Sequence, residues 1–223
     1  MKNKILKQRV IYLSSILLFV LSGFIPEKHA PGFKETKKRI DTLTIINPVV
    51  QVVADNNRTR SLESDLTQID TRLIDSITNR LLSKKYVLEK TLTPITDIEF
   101  YSELLQQLEN SPSSLVNVSS RLIFDKQKTL CKSKYALLLI YNGQFHPDFP
   151  PHYKLNSAVL SSTIVITPNN PTKSISELRI LIIDTEVEQI VYYDKLNTSK
   201  YDARIQSEVV QMTKDLLKNI YYK

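Results

Sequence analysis

The chain has 223 residues, with 30 lysines and arginines against 23 aspartates and glutamates, which gives a formal net charge of +7. Four of these cations lie within the first nine residues, and subtracting them leaves only +3 for the rest of the chain. A balance this close to neutral excludes the dense positive field of a nucleic-acid-binding domain, so no nucleic-acid partner is predicted. Three glycines in the whole chain exclude a glycine-rich phosphate-binding loop, and a single cysteine excludes an internal disulfide.

The first 25 residues have the pattern of an export leader. Lys2, Lys4, Lys7 and Arg9 precede an uncharged apolar run from Val10 to Ile25. The positive flank stays on the cytoplasmic side while the apolar run enters the bilayer. At about 1.5 Å per residue the run would extend roughly 24 Å as a helix, which is short against a hydrocarbon core of about 30 Å. We predict a signal peptide or signal anchor at residues 1–25, which could tether the protein to the membrane through residues 10–25, and a bacterial cell-envelope, periplasmic location.

The sequence leaves three outcomes open for the leader: acylation, release by a peptidase, or retention as an anchor. Acylation is disfavoured because Phe24 follows Leu21-Ser22-Gly23, whereas a bacterial lipoprotein signal needs a cysteine there. Release by an ordinary peptidase could use the small residue at Gly23 or at Ala30, but Lys28 and Pro31 are unfavourable neighbours for a cut after Ala30. Retention as an uncleaved anchor is the third outcome.

After the leader, the apolar pattern predicts a linker and then strands alternating with helices. The β-branched run from Thr42 to Val53 is typical of a strand, in which Pro48 marks a bulge, an edge or an early end. Apolar residues spaced by three and four from Leu62 to Leu82 predict a long amphipathic helix. The predicted elements of this half are a solvated linker at 26–41 with a basic cluster at 34–39, a strand at 42–53, a loop at 54–61, the long helix at 62–82, a short strand at 86–88 and helices at 97–110 and about 114–132.

The second half is predicted to contain the most buried strand and a hairpin. The unbroken apolar run from Tyr135 to Tyr141 is typical of a central strand covered on both faces, and Asn142-Gly143 is expected to end it. Prolines between Gln144 and Tyr153 predict a loop. The remaining predicted elements are a strand at 163–167, a hairpin of strands at 178–183 and 190–193, and a second long amphipathic helix from residue 202 to about 221.

This order of elements predicts an α/β fold of the α+β kind. Each long helix must cover its apolar stripe, and a sheet is the surface available to it. The chain beyond the leader is long enough to bury one substantial core without a metal or disulfide. We expect a mixed, largely antiparallel sheet with two long amphipathic helices packed on it, in a single envelope domain at 42–223.

Four sequence features also carry a resemblance. They are the opening strand at 42–53, the helix that ends in Ser-Lys-Lys-Tyr-Val-Leu at 83–88, the apolar strand at 135–141 and the hairpin at 178–193. Together they resemble a group of small bacterial envelope domains, namely the amino-terminal domain of TolB and the CsgG- and LpoB-like lipoproteins. The resemblance implies a non-catalytic module that docks onto other envelope proteins. Val187 and Glu188 stand in the acidic turn where such domains often carry glycine, and no functional residue is transferred.

One segment combines residues that could bind a metal or a partner. Phe145, His146, Asp148, Phe149 and His152 lie within eight residues of one another. Imidazole and carboxylate groups are ligands that transition metals accept, although the two prolines before His152 leave their geometry unspecified. We predict these five residues as partner-binding candidates, with the phenylalanines facing a partner. The alternative is a solvated loop whose phenylalanines pack on the sheet edge.

The sequence otherwise lacks catalytic patterns. It contains no G-x-S-x-G nucleophile motif, no H-E-x-x-H zinc motif and no cysteine pair. We therefore predict a non-enzymatic interaction or assembly module of the cell envelope that binds an envelope protein or a cell-wall component, with no catalytic residue, metal or cofactor. The alternatives are a metal-dependent hydrolase centred on His146, Asp148 and His152, and a small-molecule or lipid carrier with an apolar cavity beneath its helices.

Overall fold

The computed structural model describes residues 27–56, 58–90, 99–111, 115, 131–149, 151 and 174–221. The strands are β1 Lys28–His29, β2 Thr42–Ile45, β3 Val49–Asp55, β4 Arg60–Leu62, β5 Val87–Lys90, β6 Tyr135–Phe145, β7 Ile175–Asp184 and β8 Gln189–Thr198. The helices are α1 Phe33–Thr36, which continues into a 3₁₀ turn at Lys37–Arg39, α2 Ser64–Leu82, α3 Glu99–Asn110 and α4 Gln206–Tyr221.

The strands form one mixed sheet, which confirms the predicted fold class. Its main order is β1-β8-β7-β6-β2-β5. Strand β3 pairs with β6 on the same side as β2 but further along β6, and β4 pairs with the other side of β3. The long pairings of β6 with β7 and of β7 with β8 are antiparallel, whereas β2 and β3 run parallel to β6. The predicted hairpin is therefore present, and its strands are longer than the apolar residues alone indicated.

Strand β6 lies at the centre of the sheet and is covered on both faces. Leu137, Leu139 and Tyr141 belong to a core that also contains apolar residues of α2 and α4. The intervening side chains at 136, 138 and 140 belong to a second core with those of α3. Successive side chains of a strand point to opposite faces, so the two long helices cover one face and α3 the other. The predicted central strand and the packing of both long helices are confirmed.

Three element boundaries differ from the prediction. Asn142-Gly143 does not end the central strand, because β6 continues to Phe145 in register with both β3 and β7. The predicted strand at 42–53 is divided into β2 and β3 on either side of Pro48, an early end that a proline permits. Leu62, which the spacing predicts as the start of the long helix, lies on β4, and α2 begins two residues later, at Ser64.

The prediction of a solvated linker at 26–41 is wrong for its described part. Residues 28–29 form β1, which pairs with β8, and Phe33 and Ile40 are buried in the core beneath the long helices. Lys37 of the basic cluster is also buried, and its ammonium donates a hydrogen bond to the carbonyl of Asn219 in α4. Two isolated apolar residues in a polar segment give no period, so the sequence did not indicate this packing.

Several predictions fall outside the described residues. These are the leader at 1–25, the strand at 163–167 and most of the helix at 114–132, whose last two residues, Cys131 and Lys132, are not helical. Among the described residues, no helix combines the length and apolar character needed to cross a bilayer.

Candidate interaction site

The loop that leaves β6 is fixed to the body of the protein by Arg204. Phe145, the last residue of β6, is only 7% exposed. The guanidinium carbon of Arg204 lies 4.6 Å from the centroid of the Phe145 ring, within range of a cation–π contact. One terminal nitrogen of the same guanidinium donates a hydrogen bond of 2.6 Å to the carbonyl of Phe149. A single side chain therefore holds both ends of the segment 145–149.

His146 stabilises the same loop from within. Its side chain is 8% exposed, and its ring centroid lies 4.8 Å from that of Phe149 in a T-shaped arrangement. Its Nδ1 accepts a hydrogen bond of 3.3 Å from the backbone N–H of Asp148. The Asp148 carboxylate itself points outward, with 78% of its side chain exposed and Oδ2 3.8 Å from Nδ1. The predicted aromatic and imidazole groups thus hold the loop, and its exposed residues are Pro147 and Asp148.

Arg204 is positioned by the turn that precedes α4. Its Nε and one terminal nitrogen donate to the two carboxylate oxygens of Asp202 at 3.0 and 2.8 Å, a bidentate geometry that fixes the plane of the guanidinium. The turn lies directly against Gly143 of β6. A Cβ atom at Gly143 would be 2.5 Å from the Cβ of Ala203, so the absence of a side chain there allows the turn to approach the strand.

An exposed strand edge lies beside the loop. Asp55 at the end of β3 accepts hydrogen bonds of 2.8 Å from Gln144 of β6 and from Arg60 of β4. The residues of β4 are exposed throughout, and Leu62 is 56% exposed. Within the described part of the chain, β4 pairs only with β3. We call β4 together with residues 145–149 the loop–edge surface.

Sequence reasoning identified only part of this surface. It selected Phe145, His146, Asp148 and Phe149, which the structure brings together, and His152, which lies outside the described residues. It missed Arg204, which holds the loop, and it treated β4 as part of a loop and a helix. No local signal identifies Arg204, since Phe149, to which it donates a hydrogen bond, is 55 residues away in sequence.

The loop does not form a metal centre from the residues that are described. Across those residues, no group of three His, Cys, Asp or Glu side chains is arranged to hold a metal ion. His146 and Asp148 supply at most two ligands, and one of them faces solvent. The hydrolase alternative therefore depends on a ligand outside the described residues.

A second unusual group lies in the core beneath α2. Asp70 of α2 is 1% exposed, and neither of its carboxylate oxygens has a hydrogen-bond partner among the residues that the structure describes. Burial raises the pKa of Asp70 to about 7, because an ionised carboxylate is poorly solvated there. Burial also raises the pKa of Tyr141, and the charge of Asp70 adds to that increase. This acid belongs to the interior and not to the loop–edge surface.

The solved structures that are similar to this chain have very low sequence identity to it and low TM-scores. No family model and no curated protein matches the chain. A PelC dodecamer from Paraburkholderia phytofirmans is 8% identical with a TM-score of 0.37, covering 88% of this chain and 95% of that chain. A putative neuraminyllactose-binding hemagglutinin homolog from Helicobacter pylori is 12% identical with a TM-score of 0.39, covering 89% and 87%.

The resemblance stated from the sequence recurs among these structures. The LpoB C-terminal domain from Salmonella enterica is 11% identical with a TM-score of 0.28, covering 71% of this chain and 83% of that chain. A lipoprotein from Neisseria meningitidis is also similar, at 8% identity and a TM-score of 0.34, covering 80% and 94%. At these values the similarity does not assign a function to the chain.

Proposed function

We propose that the protein is an exported, non-catalytic module of the bacterial cell envelope that binds another envelope protein through the loop–edge surface. The export leader at residues 1–25 supports the location, because its basic flank and short apolar run have the composition of a secretory signal. The folded module includes β1 and α1, since both pack on the rest of the sheet.

The observation that carries the proposal is the rigid presentation of the loop. Arg204 contacts Phe145 and Phe149, and His146 stacks on Phe149, so contacts within the protein itself order the loop. A surface that is already ordered loses less conformational entropy on binding, which favours association. Asp148 supplies an exposed charge at the tip and β4 supplies an exposed strand edge beside it. A strand edge can accept an extended segment of a partner by backbone hydrogen bonds.

The chemistry of the loop supports binding over catalysis. An acid–base pair needs both groups to face a substrate, whereas the His146 ring is buried against Phe149 and the Asp148 side chain faces solvent. Purified protein should contain no stoichiometric zinc. Zinc that is lost when His146 and His152 are replaced by alanine would favour the hydrolase alternative instead.

The proposal is tested by charge and shape changes on the loop–edge surface. Asp148→Lys and Leu62→Asp alter exposed side chains, so both variants should keep the thermal midpoint of the parent. Glu35→Lys changes another exposed acid and serves as the control. After cross-linking in whole cells, the first two variants should lose a complex with an envelope protein that the control keeps. If all three variants form the complex to the same extent, or if the cross-linked species is peptidoglycan and not a protein, the loop–edge surface does not bind an envelope protein.

A further inference from the structure

The first described residues are part of the sheet. Lys28 and His29 are in register with Tyr193 and Tyr192 of β8. The pairing continues at Ala30, whose N–H donates a hydrogen bond of 2.9 Å to the carbonyl of Val191. On the other side, the carbonyl of His29 accepts a hydrogen bond of 3.1 Å from the N–H of Leu115. The backbone at 28–30 therefore connects the edge of the sheet to the layer of α3.

Lys28 places its charge at the carboxyl end of α3. The side chain is 7% exposed, and its ammonium donates to the carbonyls of Leu108, Glu109 and Ser111 at 2.7, 3.3 and 2.7 Å. The last carbonyls of a helix have no partner within it and carry partial negative charge, so a cation there supplies both hydrogen bonds and charge. Burial lowers the pKa of Lys28, and the nearby Glu109 opposes that change.

The residues around β1 pack mainly on the core that the two long helices, α2 and α4, cover. The ring of Tyr192 lies 5.1 Å from that of His29 and 6.2 Å from that of Phe33, and the Tyr192 hydroxyl donates a hydrogen bond of 3.1 Å to Glu27. Ala30 is partly buried against both cores. Residues 27–30 thus contact both helical layers of the protein.

We infer that residues 27–30 stay in the mature protein, so that any processing of the leader occurs before Glu27 and never after Ala30. A cut after Ala30 would remove all of β1, the Lys28 contacts with α3 and the Glu27 contact with Tyr192. The inference rests on the proposed export function, because it assigns the end of the leader.

The mass of the mature native chain tests this directly. The full-length gene product is expressed without a tag in a bacterium, and its mass is determined separately in the membrane and soluble fractions. A first residue at or before Glu27 in the folded protein, or an intact amino terminus, agrees with the inference. A folded protein that begins at Pro31 overturns it. Recovery of the intact chain in the cytosol would contradict export, but it would leave β1 in place, so the two failures are distinguishable.

A matched pair of lysine variants tests the contribution of β1. Lys28→Met in the full-length chain removes the ammonium from two carbonyls of α3 and from that of Ser111 just after it, whereas Lys34→Met changes an exposed lysine of α1. The thermal midpoint of Lys28→Met should fall by roughly 5–10 °C. That of Lys34→Met should stay within about 2 °C. Equal midpoints for the two variants would contradict a structural need for β1.

Discussion

The guanidinium of Arg204 lies over the ring of Phe145, 4.6 Å from its centroid, and joins the turn before α4 to the end of the central strand. This contact connects an element near the end of the chain to the loop proposed for binding. Because the same guanidinium bonds to the Phe149 carbonyl, the order of the loop depends on one residue outside it.

Arg204→Ala should release the loop without unfolding the protein. The variant loses the contact with Phe145, the hydrogen bond to Phe149 and the bidentate ion pair with the buried Asp202 carboxylate, so we expect a loss of about 3–5 kcal/mol of stability. Amide hydrogen exchange over residues 145–149 should become much faster. Arg72→Ala, which changes an exposed arginine of α2, is the control and should leave this exchange rate unchanged. An unchanged rate in Arg204→Ala would show that another contact orders the loop.

Gly143→Ala should displace the turn that carries Arg204. The added methyl would lie 2.5 Å from the Cβ of Ala203, so either β6 or the turn must move. Overpacking of this kind costs about 1–3 kcal/mol. Chemical denaturation measures the loss, and the double variant Gly143→Ala with Ala203→Gly should recover part of it. If the double variant recovers no stability, the contact with Ala203 is not the cause of the loss in Gly143→Ala.

Asp70→Asn should change the pH dependence of stability. The folded-state pKa of Asp70 is raised from 3.8 to about 7, so the folded state keeps the acid protonated while the unfolded chain ionises it. Below about pH 4 Asp70 is protonated in both states and does not change stability. The stability of the folded state falls progressively as the pH rises from about 4 to 7, and the loss is constant above that range.

The free energy of unfolding at two pH values provides the measurement. At about 1.4 kcal/mol per pKa unit, the raised pKa of Asp70 lowers the free energy of unfolding by a few kcal/mol above pH 7. Asp70→Asn should gain stability relative to the parent on going from pH 5 to pH 8. Other carboxylates are present in both proteins, so their contributions cancel in this difference. A difference between the two proteins that is independent of pH would contradict the burial of a protonated acid.

Glu188→Gly should stabilise the hairpin turn. Glu188 has φ 55°, in the left-handed region that costs a residue with a side chain about 1–2 kcal/mol. Glycine adopts this region freely but loses more entropy on folding, so the expected net gain is about 0.5–1 kcal/mol. Glu186→Gly in the same turn, where φ is not positive, is the matched control and should lower stability. A loss in both variants would contradict relief of strain at Glu188.

The parts of the fold that the sequence predicted are those set by local period. The stripe of α2 and the unbroken apolar run of β6 are read from neighbouring residues, because each side chain's face follows from its position in the element. The turn of the hairpin is local as well, and its acid Asp184 accepts hydrogen bonds from the N–H groups of Glu186 and Val187.

The candidate site was only partly predictable because its contacts are distant in sequence. Asp55 and Gln144 are 89 residues apart and meet only because β3 pairs with β6 in parallel. The basic cluster in the predicted linker was misread for a related reason. The ammonium of Lys37 lies 5.0 Å from the centroid of the Tyr192 ring, a cation–π contact with a residue that is 155 positions away in sequence.

Site-specific photo-cross-linking in intact cells shows whether the loop–edge surface binds an envelope protein. A photoreactive residue at position 148 of the full-length chain samples the tip of the loop, and one at position 35 samples an exposed control position. We predict one adduct of defined mass from position 148, absent from position 35, that fractionates with the envelope and contains an envelope protein. If position 148 gives no adduct and the chain is recovered free in the cytosol, the protein does not bind an envelope protein through this loop.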